Sequence, residues 1–581
     1  MSRNEEVATR FEEMADLLEA RDVEYKPRSY RRAAENVRDH PTPVEELAAE
    51  GRDAVKGIDG VGDALAAKIV EYVETGEIEE LTDLRESLPV DMAALTSVEG
   101  VGPKTVGSLY EALGITTLDE LETAARGGEI REVSGFGETT ESNILESIPF
   151  AQQARDRERL GDARPVAEAL LDHLREVDAV ARGEVAGSLR RWRETIGDVD
   201  VLVASNDAAA AIDAFLGWDA VNDTIESGTT KASVRARGMR IDCRVVVPED
   251  FGAALQYFTG SKAHNVHLRN LAIERDLKLN EYGVFDVSGV NEVTGQRAGR
   301  RLGGRHEADL YDALDLPPIP PELREDRGEI AAAREGRLPD LLVESDLRGD
   351  LHTHTEWSDG TESIETMIAA AADRGDDYVA ITDHATGPGM VGGVGLDDDR
   401  LREQMDAVET AAEDTDLTVF HGVEANVDAE GGLSVGDDLL TALDLVIASP
   451  HSGLGADRET ATERLVGAVE HPETDVLGHP TGRRLNDRAG LDPDLDRLVA
   501  AAADAGTALE VNANPRRLDL NDEAVRVAVE AGTPIAVDTD AHSVGGLDLR
   551  RYGVHTARRG WAEAANVVNA RSASGLQSFL R

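Results

Sequence analysis

Apolar residues recur every three or four positions at the start of the chain, where Val7, Phe11, Met14, Leu17 and Leu18 fall on one helical face. Amphipathic helices joined by short turns are therefore predicted over residues 1–80. Helices continue over 81–150, interrupted by pairs of glycines. The period then changes. Between 151 and 250 short Val/Ile-rich runs read as strands, among them 199–203 and 241–247, with helices between them. Residues 251–315 are mixed, and the proline-rich stretch 316–321 opens a polar linker over 316–347. From 348 to 581, apolar runs at 378–381, 417–420, 445–448, 476–477, 508–511 and 534–537 alternate with alanine-rich helices. A further strand ahead of His352 makes seven βα units, which predicts a barrel-like α/β domain. The expected fold is multidomain, α+β followed by α/β.

Chemistry sits on these elements. Asp198 and Asp200 are spaced i, i+2 in a strand, so both carboxylates face one side. Asp242 on a later strand can complete a cage for two divalent ions, Mg²⁺ or Mn²⁺, which suits phosphoryl transfer. The Gly187-Ser188 turn can offer N–H and hydroxyl groups to a triphosphate, and Arg191 can clamp it. An isolated Asp-x-Asp is commonly a solvated acidic strand. Gly-Ser, Arg-Arg and a third acid in register speak against that here.

After position 350 a second set follows. His352 and His354 lie two apart at a strand end, and Asp540 with His542 repeats the arrangement on the last strand. Asp359, His384, Glu424, His451 and His479 complete it, nearly all directly after a strand, where parallel α/β barrels build their sites. Glu424 can bridge two metals. Such a set suits Mn²⁺ or Zn²⁺ and phosphoester hydrolysis. His421, His471 and His555 read as structural.

Three segments share an apolar-Gly-apolar-Gly hairpin between helices: Gly60 with Gly62, Gly100 with Gly102, and Gly135 with Gly137. Glycines at that spacing let backbone N–H groups approach a phosphate at a helix start, without reading base sequence. The repetition points to DNA binding.

Composition complicates that picture. A net charge of −54 should repel phosphates. However, the chain holds only seven lysines, none beyond Lys278, and arginine supplies nearly all its positive charge. That pattern resembles proteins of salt-loving archaea, in whose molar salt the Debye length shrinks to about 3 Å and an acidic shell costs little. At 581 residues, three or four domains are expected. No run of about 18 apolar residues and no signal peptide is visible, so a cytoplasmic location without membrane contact is expected. The lone Cys243 excludes an internal disulfide and reads as a small buried side chain. Nothing signals oligomerisation, and a monomer is expected.

The runs from Gly187 to Asp200 and Arg240 to Arg244, together with Tyr257-Phe258-Thr259-Gly260-Ser261, Asn265 and Arg269, closely resemble family X DNA polymerases. The resemblance implies a palm over 151–250 and a nucleotide-selecting thumb over 251–315. It makes Asp198, Asp200 and Asp242 the catalytic acids and sets Gly187, Ser188 and Arg191 at the triphosphate. Tyr257 and Phe258 would lie beside the sugar, with Tyr257 disfavouring a ribose 2′-hydroxyl, and Gly260 would belong to the nucleotide site. Asn265 would reach the incoming base and Arg269 the template. Trp192 departs from the glycine usual in the family and puts the turn behind Arg191 in question.

Residues 1–80 resemble the family's lyase domain, and 81–150 its helix-hairpin-helix fingers. That register puts Tyr30 and Lys26 at DNA and Lys68 at the lyase nucleophile, although Glu80 stands at a usually basic position. A plain phosphate contact is the alternative for Lys68.

Asp350-Leu351-His352-Thr353-His354, Ser358-Asp359-Gly360, Thr382-Asp383-His384 and Asp540-Ala541-His542 resemble the PHP (polymerase and histidinol phosphatase) domain, a (β/α)7 barrel with up to three metals. The implied function is short-gap filling in base excision repair, on gapped or nicked double-stranded DNA with deoxynucleoside triphosphates. A 3′→5′ exonuclease or 3′-end phosphoesterase and a 5′-deoxyribose phosphate lyase would accompany it. A nucleotidyltransferase for RNA or small molecules is disfavoured by the hairpins and Tyr257-Phe258, and a non-catalytic DNA-end scaffold by the intact acids.

Overall fold

The computed structural model describes residues 3–580 except Glu24, Pro41, Asp59, Glu99, Asp156, residues 291–293 and 388–393, and Asp414. Asp59 and Glu99, second positions of the first two hairpins, therefore lie outside the described residues. The chain forms two compact units, residues 1–156 with 486–489, and residues 157–485 with 490–581.

The first unit is helical. Helix Arg3–Ala20 turns Val7, Phe11, Met14, Leu17 and Leu18 inward, all buried as their spacing predicts. It packs on helix Lys26–Asp39, where Phe11 and Tyr30 meet edge to face at 5.5 Å. The three glycine hairpins fold alike. In each, the N–H of the second apolar residue donates to the first apolar carbonyl: Val61 to Ile58, Val101 to Val98 and Phe136 to Val133, at 2.9–3.1 Å. Gly60, Gly100 and Gly135 take φ of 70°, 81° and 94°, the left-handed region that favours glycine.

The second unit begins with a five-stranded sheet in the order Arg182–Val185, Val199–Ala204, Met239–Val246, Lys231–Ala236, Val221–Ser227. Its two central strands run parallel, which sets Asp200 directly opposite Asp242. Helices Phe251–Thr259 and Lys262–Ile273 and a three-stranded sheet follow.

The segment at 316–347 does not act as a solvated linker. Leu316, Ile319, Leu323, Ile330, Ala333 and Leu341 are buried in one core with Leu268, Leu279 and Leu310. Its charged residues pack too: Arg324 is 2 % exposed and pairs with Glu307, and the Glu329 carboxylate meets buried His264 at 2.5 Å. The prolines space these apolar residues without helical or strand period, so the burial left no periodic signature.

Seven parallel strands then follow in chain order: Gly349–Asp350, Tyr378–Ile381, Thr418–Asn426, Leu445–Ser449, Val476–Leu477, Ala508–Asn512 and Ile535–Asp538. The ends approach closure, with Thr353 bridging Ala541 and the His354 N–H donating to the Ala541 carbonyl at 2.8 Å. Ser363, Asp397, Asp457, Asp494 and Asn521 cap the N-termini of the intervening helices, accepting from their free N–H groups. This is the (β/α)7 arrangement that the strand spacing predicts. No helix among the described residues is long and apolar enough to cross a membrane.

Candidate catalytic centres

In the five-stranded sheet, Asp198, Asp200 and Asp242 bring carboxylate oxygens within 4.8 Å of one another. Asp198 stands one residue before its strand and is exposed, whereas Asp200 and Asp242 are half-buried. Gly187 lies against them. Its φ is 58°, and a Cβ there would come within 2.2 Å of Asp200 Oδ2, so any other residue would displace the acid. Asp200, Asp242, Lys231, Arg244 and Phe258 line a cavity of about 100 Å³ beside the acids.

Like charges this close oppose one another. Burial, then the charges of Asp198 and Asp242, push the Asp200 carboxyl up to about 7. Burial also acts on Asp242, but the Arg240 guanidinium, 2.9 Å away, and Lys231 more than offset it and hold that carboxyl below its ordinary value. A divalent cation fits this set, since it removes the repulsion and needs oxygen donors.

One consequence can be measured. A carboxyl raised by the fold stabilises the native state fully only below its ordinary value near 3.8, and that stability is lost as pH rises through about 7. Asp200→Asn should therefore raise the melting temperature of the metal-free protein at about pH 8, by the equivalent of about 1–3 kcal/mol. The gain should shrink as pH falls toward about 4. Melts in EDTA check this, and a lower melting temperature at the alkaline end would mean the carboxylate is stabilised by donors instead.

The neighbouring residues are more engaged than their sequence suggests. Arg191 donates from Nε to Glu325 at 2.9 Å and from Nη1 to the Thr259 carbonyl at 2.7 Å. Arg190 grips Glu307 with both terminal nitrogens. Asn265 donates to the carbonyls of Tyr257 and Gly260 at 2.7 and 3.1 Å and so braces their turn. A Cβ on Gly260 would lie 2.5 Å from Asn265 Oδ1. Phe258 stands edge-on to Tyr257 and under the Arg244 guanidinium. Ser188 is partly exposed on helix Gly187–Arg190, and Arg269 is exposed. Trp192 keeps a glycine-like φ of 55°, so the turn survives the departure. Cys243 is buried, which pushes its thiol up to about 12.

At the barrel's strand ends all nine expected ligand residues converge. Fully buried Glu424 lies 2.5 Å from His384 Nδ1, 2.9 Å from His479 Nε2, 3.3 Å from His451 Nε2 and 3.5 Å from His352 Nε2. Asp540 stands 3.1 Å from His354 Nε2. Asp359 stands 3.3 Å from His542 Nε2 and 3.4 Å from His384 Nε2. Three subsets draw their donor atoms within 4.8 Å: His354-Asp359-His384-His542, His352-His354-Glu424 and His384-Glu424-His451.

Close as they are, several of these buried atoms make no well-directed hydrogen bond to any described residue, including both ring nitrogens of His354, Nε2 of His352 and His451, and Glu424 Oε2. Buried polar atoms rarely stay unsatisfied, so ions fit the space between them. Burial, then the cations possible at His542 and His384, push His354 down to about 3, which keeps its imidazole neutral as a ligand must be.

Sequence reading missed the shell behind this set. Glu510 accepts from His352 Nδ1 at 2.7 Å, which fixes the tautomer and leaves Nε2 for the centre. Asn426 holds His451 Nδ1 at 2.6 Å, and Asn512 donates to Asp540 at 3.1 Å. Asp383 accepts from Thr355 and Gln404 beneath the loop that carries Asp359. A single acid inside the apolar run at 508–511 was the available signal for Glu510.

In the helical unit, Lys26, Tyr30 and Lys68 meet at one carboxylate. Glu80 lies 2.8 Å from Lys68 Nζ and 3.4 Å from both Lys26 Nζ and the Tyr30 hydroxyl. At the hairpins, a Cβ on Gly62, Gly100, Gly102, Gly135 or Gly137 would meet nothing within 4 Å among the described residues. Gly62 and Gly102 have φ near −80°, which any residue adopts, so neither packing nor backbone requires a glycine there.

Comparison with known proteins agrees with this geometry. Residues 2–78 match the helix-hairpin-helix domain and 92–148 the SAM-like helix-hairpin-helix tandem. Residues 254–325 match the DNA polymerase beta thumb, and 350–514 the PHP domain. The chain is 34% identical over 564 residues to the DNA polymerase/3′-5′ exonuclease PolX of Bacillus subtilis, covering 96% of each chain. It is 26% identical over 344 residues to DNA polymerase lambda of Rattus norvegicus, covering 55% of this chain and 56% of that one. A probable phosphatase of Caldanaerobacter subterraneus is 31% identical over 214 residues, covering 34% of this chain and 77% of that one.

Proposed function

The chain belongs to the family X DNA polymerases with helix-hairpin-helix and PHP domains, and on that premise we propose that it fills short gaps in DNA and digests 3′ ends at its barrel. The observation that carries the polymerase reading is the convergence of Asp198, Asp200 and Asp242 behind Gly187. Those three acids would hold two Mg²⁺ or Mn²⁺ ions, which supply charge neutralisation for the triphosphate and activation of the 3′-hydroxyl. The chain's own groups do the rest. Gly187 and Ser188 offer donors to the triphosphate. Arg191 reaches it by exchanging the Glu325 carboxylate for phosphate oxygens of like charge. Tyr257 and Phe258 shape the sugar pocket, Asn265 meets the incoming base through the turn it braces, and Arg269 meets the template.

The nine barrel residues would hold up to three Mn²⁺ or Zn²⁺ ions, which supply an activated water for phosphoester cleavage. Glu510 and Asn426 keep His352 and His451 in the orientation that cleavage needs. The glycine pairs hold DNA by backbone N–H groups, which explains glycine at 62 and 102, where neither φ nor packing against the described residues requires it.

We further read the acidic surface and scarce lysines as adaptation to high salt, in a cytoplasmic monomer that works in base excision repair. One experiment tests both the gap and the salt reading. Primer extension on a one-nucleotide gap is compared with extension on an open template, from about 0.05 M to about 3 M KCl, which spans Debye lengths from above 10 Å to below 3 Å. The gap should be preferred, and activity should rise toward the molar end. Equal use of both templates rejects the gap specialisation, and a maximum in dilute salt rejects the adaptation.

The same unit would act as a 5′-deoxyribose phosphate lyase through Lys68. An imine forms on a free amine, so Lys68 must first leave Glu80. Borohydride should trap the protein on a 5′-deoxyribose phosphate end, and Lys68→Ala should abolish trapping. Equal trapping by that variant rejects the assignment, and no trapping by either protein leaves Lys68 a phosphate contact.

A further inference from the structure

The turn that begins at Gly187 ends on Trp192, whose φ of 55° a bulky residue keeps only when its surroundings hold it. The indole stacks on His555 with ring centres 3.6 Å apart and planes 6° from parallel. The Arg164 guanidinium carbon lies 3.5 Å from the indole centre, and Tyr552 meets the ring edge-on at 5.9 Å. His555 and Tyr552 belong to helix Arg550–Arg559, which follows the last barrel strand.

The same helix also reaches the backbone of the turn. Arg559 Nη1 donates to the Arg191 carbonyl at 2.6 Å and to Glu325 Oε1 at 3.2 Å, the oxygen that accepts from Arg191 Nε. Asp522 anchors Arg559 from behind at 2.8 Å, and Glu322 anchors His555 at 2.8 Å. At its near end the turn touches catalytic Asp200 through Gly187, with no room for a Cβ. Displacement at Trp192 is thus carried along a single short turn to Arg191 and the acids.

We propose that helix Arg550–Arg559 of the barrel domain sets the geometry of the polymerase's nucleotide-binding turn, with Trp192, His555 and Arg559 as positioning residues for nucleotidyl transfer. None of the three is among the nine ligand residues of the barrel, and none touches the three acids. They act through Arg191 and the turn. The barrel domain is therefore part of the polymerase site, and its covalent attachment is not the whole of its contribution. This rests on the assignment of the turn to the triphosphate.

Steady-state gap filling with varied deoxynucleotide, beside manganese-dependent 3′-end digestion, tests it in the full-length chain. Trp192→Gly relaxes the backbone but removes the stack, and His555→Ala removes the stack together with the hydrogen bond to Glu322. Each should raise the nucleotide KM by about tenfold, with kcat falling less than about threefold, because misplacement of a binding group costs ground-state and transition-state binding together. Digestion should stay within about twofold, which also reports that the barrel is folded. His555→Phe keeps a stacked ring and should restore most of the KM.

An unchanged KM in variants that still digest 3′ ends would overturn the proposal. So would loss of both activities by Trp192→Gly and His555→Ala alike, or failure of His555→Phe to restore what His555→Ala loses. Failure of the unaltered protein to fill gaps at all would instead remove the triphosphate assignment beneath it.

Discussion

Replacing Asp198 and Asp200 together by alanine is expected to lower nucleotide addition by at least about 10³-fold while leaving 3′-end digestion within about twofold, because the proposed two-ion site would lose two oxygen ligands and the proposed barrel site would keep all of its own. The three carboxylates lie within 4.8 Å, and Asp242 alone cannot hold two ions. The variant should also fold. Asp200 is raised by burial and by its neighbours' charge, so its removal relieves repulsion. Lys231 and Arg240 keep Asp242 as a partner, so no cation is stranded. The barrel's ligands sit on a different sheet with its own hydrogen-bonded strands. Single-turnover gap filling and digestion, measured on one preparation, decide the matter. Loss of both in a protein that melts normally would mean that the sites are not independent.

What sequence made legible here was whatever local period or spacing encodes. Strand ends and their ligands could be read because a charged or histidine residue directly after an apolar run has one place to go in a parallel barrel. Asp200 and Asp242 could be paired because two short apolar strands with interior acids need company. Partners distant in the chain left no such trace. Arg191 and Glu325 are 134 positions apart, and Arg559 meets the Arg191 carbonyl across 368. Nothing local distinguishes either arginine from a surface residue, so Arg191 reads as free to bind phosphate when its Nε and Nη1 already meet Glu325 and the Thr259 carbonyl.

Trp192 shows the same limit from the other side. A tryptophan in place of a glycine reads as a threat to the turn, because sequence shows the backbone cost and hides the stack on His555 that offsets it. His555 in turn reads as a structural histidine, whereas its ring meets Glu322 through Nδ1 and stacks on Trp192. The segment at 316–347 was hidden for a third reason. Prolines and charges suggest a solvated spacer, and only the completed thumb core reveals which leucines it covers.

Replacing His352 and His354 together by alanine is expected to abolish manganese-dependent digestion of a 3′ end, by at least about 10³-fold, while gap filling survives. These two rings face the same centre, 5.1 Å apart, and between them they touch Glu424 and Asp540, two of the three carboxylates of the set. Their loss leaves two of the three ligand subsets incomplete at once. It also leaves Glu510 without the cation or ring N–H that now meets it at 2.7 Å in a fully buried position. Some loss of stability is therefore expected, of about 1–3 kcal/mol, since a buried acceptor loses its donor. Burial already pushes the Glu510 carboxyl up, so it can meet the change by taking a proton. The helix that carries His555 and Arg559 keeps its anchors at Glu322 and Asp522, so the turn from Gly187 to Trp192 should hold its place. Digestion and gap filling are compared on protein freed of host nucleases, with manganese supplied and then withdrawn by chelator. Undiminished digestion by the double variant would place the nuclease outside the histidine cluster.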